Sequence, residues 1–343
     1  MEPACAPIIL HCHVPKTAGT TLSVGFSRSF GIYHLHHSHS NSYFVLTRDI
    51  LEQLLAINPC LSSLTSHHLR SFPLSICGRP TFLVTLLRKP EDGFISQLRH
   101  LQRKFSLFPP EVRRHWPNGV AELPLRELAR QFLDLVTPNQ DFCPQTRFFC
   151  RSDVLAEFGL SDGDPYGCDS YEIAQSILTE FHFVGIVDEM QKSMEMLEEL
   201  LAQSGVRVEF NHRDIQNSSP EGTRPAWLTM EDEVGRRVLA AGKSDRLLYD
   251  HFREALLASH RTLQERRWLG FRAAALNTNE ALHRDGFSGA WRSLIHSGRL
   301  FRKRQEPRAI TLRSPALSTD LLEERAAKAF ADQLQSGDAA AKS

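Results

Sequence analysis

Residues 8 to 22 read Ile8-Ile9-Leu10-His11-Cys12-His13-Val14-Pro15-Lys16-Thr17-Ala18-Gly19-Thr20-Thr21-Leu22, and their order decides the fold. An apolar run of strand length stops at Pro15. A short loop follows, carrying Lys16, Gly19 and the hydroxyls of Thr17, Thr20 and Thr21, and a helix is expected from about Leu22. Strand, glycine-bearing turn and helix in immediate succession build an anion cradle, because loop N–H groups turn inward and the positive end of the helix faces the same point. Lys16 adds a full charge. The plain alternative for so short a motif is an ordinary strand-turn-helix joint with a solvated lysine.

A second stretch bears on the same chemistry. Thr81-Phe82-Leu83-Val84-Thr85-Leu86-Leu87 is an apolar, β-rich run, and Arg88 sits where it leaves the strand, ahead of Pro90. Beyond the proline, Phe94, Leu98, Leu101 and Phe105 recur at helical spacing, while Ser96, Arg99 and Arg103 share another face. An arginine at a strand exit and a serine early in the next helix suit a doubly charged phosphate, one supplying a planar fork and the other a short hydroxyl donor. Taken alone, this segment is equally an amphipathic helix with a solvated basic face.

Together the two segments resemble the nucleotide-binding elements of sulfotransferases that use 3'-phosphoadenosine 5'-phosphosulfate (PAPS). The likeness is to the carbohydrate branch: bacterial family 2 sulfotransferases and the heparan sulfate 2-O- and 6-O-sulfotransferases. Val14 to Leu22 matches that family's P-K-T-x-G-T-T-L element, which holds the 5'-phosphosulfate. Arg88, Pro90 and Ser96 match its R-x-P-x-x-R-x-x-S element, which holds the 3'-phosphate, but Gly93 stands where the second arginine belongs. Three softer likenesses follow in the right order: Pro144-Gln145-Thr146-Arg147-Phe148, Phe183-Val184-Gly185-Ile186-Val187-Asp188-Glu189, and Asp245-Arg246-Leu247-Leu248-Tyr249.

The resemblance implies an α/β chain with a three-layer P-loop-like fold, a central parallel sheet flanked by helices. It implies a PAPS-dependent sulfotransferase domain over residues 1–257. Residues 258–343 then read as a helical extension whose charged, alanine-rich end is disordered. Strands are expected at about 7 to 14, 32 to 36, 61 to 66, 81 to 87 and 182 to 187, with helices after the first, fourth and fifth. Both motifs would then lie past strand carboxyl ends, where open α/β sheets bind ligands.

Composition narrows the classes. In 343 residues, Lys plus Arg and Asp plus Glu both number 40, so no global field draws the chain to a polyanion, and a nucleic-acid partner gains no support. The seven cysteines, at 5, 12, 60, 77, 143, 150 and 168, form neither a metal pattern nor an even disulfide framework, and they read as free thiols. No segment is apolar enough to span a bilayer, and residues 1 to 10 lack a signal-peptide pattern, so a cytoplasmic protein is expected.

The implied reaction moves a sulfuryl group from PAPS to a hydroxyl of a carbohydrate or glycoconjugate. Pro15, Lys16, Thr17, Ala18, Gly19, Thr20 and Thr21 would hold the 5' end of the donor, and Arg88 with Ser96 the 3'-phosphate. No metal is expected, because the leaving phosphate is already a stable anion. The reaction needs a base for the acceptor hydroxyl, and a histidine suits that. Ser66-His67-His68-Leu69-Arg70 resembles the family's G-H-x-L-R segment with serine for glycine, which makes His67 the base and His68 the fallback. His34, His36, His37 and His39 read as a solvated strand edge rather than a metal site, and His11 and His13 as packing residues. Two other readings stand beside this one. A kinase or NTPase would need a glycine-lysine pair that the loop lacks, and a silent nucleotide-binding module is left open by Gly93.

Overall fold

The structure, a computed structural model, describes residues 6–37, 45–69, 72–107, 120–135, 142–150, 170–210 and 224–267. The chain opens with β1 (Ile8–Cys12), α1 (Gly19–Phe30) and β2 (His34–His37), then α2 (Arg48–Ile57) and β3 (Ser63–Ser66). A hairpin of β4 (Ser75–Ile76) and β5 (Arg79–Leu87) leads into α3 (Pro90–Lys104). Then come α4 (Leu125–Leu135), α5 (Pro144–Phe149), α6 (Ser170–Thr179), β6 (Phe183–Ile186), α7 (Met190–Gln203) and α8 (Glu233–Ala240). A last helix, α9, spans 243–267.

Five strands run parallel in the order β2-β3-β1-β5-β6, and β4 pairs antiparallel with the start of β5. All five residues of β1 are buried. A strand covered on both faces must be apolar throughout, which explains why Ile8 to Leu10 and Thr81 to Leu87 read as continuous runs rather than alternations. Register places Leu10 between Leu64 and Leu83, and Cys12 between Ser66 and Thr85. The chain leaves β1 toward β3 and β2, then crosses to the other side for β5 and β6. That reversal makes the carboxyl ends of β1 and β5 the switch point of the sheet, the edge at which open α/β sheets bind ligands.

The observed architecture is thus an α/β fold with a mostly parallel central sheet flanked by helices, and the five expected strands are present. Three local details differ. The helix expected from Leu22 starts a turn earlier at Gly19, because Ala18 takes a left-handed conformation (φ 55°) and acts as its N-cap. Between β2 and β3 the chain forms α2, whose Leu51 and Leu55 are buried one turn apart. Ahead of β5, Cys77 and Gly78 both have positive φ, 49° and 74°, the requirement of a two-residue hairpin turn, and they create β4.

A second, smaller core lies beside the sheet, where Phe94, Leu98 and Leu101 of α3 meet Leu128 and Leu133 of α4 and Val234 and Val238 of α8. The boundary expected at 257 falls inside α9, which runs on to 267. The helix stays docked past that point, with His260 Nε2 2.9 Å from Glu195 Oε2 on α7 and Gln264 donating to the same oxygen at 3.1 Å. Residues 268–343, read above as an extension, lie outside the described residues, as do His39, Arg70 and Cys168.

Candidate anion-binding site

The loop after β1 closes on itself before it meets anything else. Thr17 Oγ1 donates to the Val14 carbonyl at 2.8 Å, and the Thr17 amide reaches the same oxygen at 3.4 Å. Thr17, expected to contact the donor, is buried, and its hydroxyl closes the turn. Lys16 (φ 68°) and Ala18 (φ 55°) are both left-handed, uncommon for residues with a Cβ, and they flank a residue that is not. Alternation of this kind turns successive N–H groups toward one point. The amides of Lys16, Ala18, Gly19 and Thr20 have no hydrogen-bond partner among the described residues, while that of Thr21 starts the helix on the Ala18 carbonyl at 2.9 Å. Pro15 is exposed, Lys16, Ala18 and Thr20 are half-buried, and Thr21 is buried.

Gly19 is required by packing. A Cβ there would lie 1.9 Å from His13 Cδ2, so only glycine lets α1 begin directly above that ring.

Arg88 stands beside this loop. Its Nη1 donates to the Lys16 carbonyl at 3.2 Å, bringing the two sequence motifs together at the carboxyl edge of the sheet. Its Nε is buried without a partner among the described residues. Thr85 Oγ1 donates to the Cys12 carbonyl at 2.8 Å and ties the end of β1 to β5 just below. Charge gathers here. Burial, followed by Arg103, Arg88 and Lys104, lowers the Lys16 ammonium to about 8. Burial is also the main cause that lowers Arg88, with Asp92 and Asp188 acting in the opposite sense. Ser96 is half-exposed on α3, the helix whose Arg103 and Lys104 act on Lys16. At Gly93, where the resemblance leads one to expect an arginine, an added Cβ would meet nothing within 4 Å.

The histidines divide by role. His67 Nδ1 lies 2.7 Å from the His13 carbonyl oxygen. A carbonyl only accepts, so Nδ1 carries the proton and a neutral ring holds its lone pair on Nε2. The His67 ring stacks on that of His13 at 3.8 Å between centroids, which seats it against the residue leading into the loop. His68 turns elsewhere: its amide donates to Ser66 Oγ at 3.0 Å, and its ring meets His37 edge-on at 5.9 Å.

The expectation of a solvated edge at β2 is corrected at His34, which is buried, whereas His36 is exposed. Two positions apart on a strand, they share a face, and both reach Ser23 Oγ of α1, at 3.0 and 3.2 Å. His34 is also 2.8 Å from Ser63 Oγ, and burial lowers it to about 4. His11 is fully buried and lies 3.1 Å from Thr65 Oγ1. Glu189 is the N-cap of α7 and pairs with Lys192 at 2.6 Å and Arg253 at 2.7 Å. The five described cysteines, Cys12, Cys60, Cys77, Cys143 and Cys150, are free thiols.

Gln145, Asp188 and Asp245 were not among the candidate site residues, yet all three support the strand exit. Gln145 hydrogen-bonds both backbone groups of Arg88, the Lys89 amide donates to Asp188 Oδ2 at 3.2 Å, and Asp245 anchors Gln145. The signal was present: these residues lie in the three softer stretches that resembled the sulfotransferase family.

Among the described residues no helix is long and apolar enough to cross a membrane. No protein-family model matches the chain, and no curated protein matches it.

Proposed function

We propose that this chain is a sulfotransferase that moves a sulfuryl group from PAPS to a hydroxyl of a carbohydrate or glycoconjugate. The finer fold assignment, a three-layer P-loop-like architecture, belongs to the same proposal. The observation that carries it is the 3.2 Å contact of Arg88 with the Lys16 carbonyl, which sets a guanidinium beside a loop whose four amides have no partner among the described residues, at the carboxyl edge of the sheet. Two anion-binding devices side by side suit a donor bearing two separate phosphates.

The residues fit such a donor. The amides of Lys16, Ala18, Gly19 and Thr20, with the Lys16 ammonium, would hold its 5' end, and Arg88 with Ser96 its 3'-phosphate. PAPS brings a sulfuryl group already attached to a stable leaving phosphate. In the transfer an oxygen-sulfur bond forms to the acceptor, the bond from sulfur to the 5'-phosphate oxygen breaks, and adenosine 3',5'-bisphosphate leaves. Lys16 and the amides face the charge that gathers on the departing phosphate, and donors fixed in advance act most strongly on such charge. His67 takes the acceptor proton on Nε2, the nitrogen opposite the one bound to the His13 carbonyl.

Titration calorimetry with adenosine 3',5'-bisphosphate is the direct test, and magnesium-independent binding is expected. Magnesium-dependent binding of ATP with none of the bisphosphate would replace this reading with the kinase one. With a labelled donor and a panel of glycans, His67→Ala should keep the bisphosphate affinity and lose transfer by about 100-fold or more. Loss of binding as well would make His67 structural.

A further inference from the structure

Arg88 is the first residue after β5, where a strand loses its neighbours and the backbone is ordinarily free to swing. Here a single side chain holds both of its peptide groups. Gln145 Oε1 accepts the Arg88 N–H at 2.8 Å, and Gln145 Nε2 donates to the Arg88 carbonyl at 2.8 Å. The amide of Gln145 acts as one more rung of the ladder, supplied by a helix instead of a strand.

Gln145 is itself held. Asp245 Oδ2 accepts from the Gln145 backbone amide at 3.1 Å and from its Nε2 at 3.4 Å, while Oδ1 accepts from the Thr146 amide at 2.6 Å and Thr146 Oγ1 at 2.7 Å. All three residues are at most 5% exposed. The carboxylate therefore uses both oxygens on neutral donors at the start of α5. Burying a carboxylate without a cation is unfavourable, so an apolar contact would have served packing alone better. What the carboxylate does supply is orientation: it fixes the rotamer of Gln145, and Gln145 fixes the peptide planes on either side of the Arg88 Cα.

We propose that Gln145, seated by Asp245, is a positioning residue that aims the Arg88 guanidinium at the anion. This inference rests on the reading of Arg88 as a phosphate ligand. An arginine fork must be directed as well as charged, because its two-point contact with a phosphate depends on angle.

The test is a cycle on the full chain, with adenosine 3',5'-bisphosphate as the calorimetric probe. Gln145→Met, close in size and unable to grip the peptide, should weaken binding about tenfold, the range seen when a supporting hydrogen bond behind a ligand-binding residue is lost. Arg88→Ala should weaken it too, and the double variant should bind no worse than Arg88→Ala alone, within about twofold. Thr146→Val removes one donor to Asp245 but leaves the grip on Arg88, so it should lower the melting temperature while affinity stays within about twofold. Should Gln145→Met fail to fold, Gln145→Glu takes its place, keeping the acceptor for the Arg88 amide and losing the donor, with the same non-additivity expected. Independent, additive losses, or a Thr146→Val loss as large as that of Gln145→Met, would overturn the positioning role while Arg88 remains a ligand. Full affinity in Arg88→Ala would remove Arg88 from the site, and the assignment it rests on would fall with it.

Discussion

Lys16 combines two properties that mutation can separate. Its φ of 68° is strained for a residue with a Cβ, and its ammonium is a full charge carried by the same loop as the open amides. Lys16→Gly should therefore leave stability unchanged or raise it by up to about 1 kcal/mol, since glycine occupies that conformation without strain. Under the proposed sulfuryl transfer, the same variant should lower turnover about 100-fold, because the charge assigned to the leaving phosphate is gone. Thermal melting and a transfer assay on one preparation check both halves, and a loss of stability without a loss of rate would reverse the argument. A pH effect follows as well. With Lys16 lowered to about 8, the loop loses its cation as pH rises through that value, so bisphosphate affinity should decline from about pH 7 to about pH 9. The bound anion itself favours the charged lysine and shifts the midpoint upward. Calorimetry across that range reads the slope, and a flat profile would take Lys16 out of the binding step.

Helix α3 carries Arg103 and Lys104, two of the charges that act on Lys16, and Gly93 is its least explained position. The space around it is open, and no packing contact demands a glycine. Gly93→Ala should stabilise the helix by about 0.5 to 1 kcal/mol on propensity alone. Gly93→Arg should do the same and also tighten the bisphosphate, if that face of α3 looks onto the anion; unchanged affinity would mean that it looks elsewhere. The start of α3 is pinned independently by Glu91, 2% exposed, whose carboxylate meets Arg246 at 2.8 Å and Lys89 at 3.3 Å. Burial pushes Glu91 up, but its own amide, Arg246 and Lys89 outweigh that and hold it below the usual range. Elements of this kind were unevenly visible beforehand. β1, its loop and β5 could be read directly because each is a local pattern: an unbroken apolar run, a glycine turn, a charged exit. α2 was missed although Leu51 and Leu55 sit a turn apart, because the stretch is short and lies between two brief strands. Gln145 and Asp245 could not be assigned a role at all, since the bonds that define it join Arg88 to Gln145 across 57 positions and Gln145 to Asp245 across 100. His34 looked solvated because nothing near it in the chain announces that Ser23 and Ser63 will close over it.

The face of the sheet beneath α1 gives the protein a property that belongs to no single group. His11, His13, His34 and His36 are all lowered from 6.5, in each case chiefly by burial, with His34 at about 4. In the unfolded chain these rings take up protons near 6.5, and in the folded chain they do so only at lower pH. Stability is therefore complete above that value and lost as pH falls below it toward the folded values. Asp245, pushed up to about 6 by burial, and Asp92, also raised chiefly by burial, work in the opposite sense, since the folded state accepts their protons first, but they are two groups against these four rings and His100 and His182, which burial lowers too. The melting temperature should fall between about pH 7 and about pH 5, earlier than paired carboxylates alone would bring it down. A constant value over that interval would show that the rings become protonated without unfolding. The order of the strands has one more consequence, in time rather than space. The cradle is encoded before residue 22 and its guanidinium at 88, but the carboxylate that steadies the exit comes from residue 245. On the ribosome, the arginine at 88 waits 157 further residues (245 minus 88) for the carboxylate that seats its partner Gln145, and the pocket matures only when the last described helix packs back on elements that emerged long before.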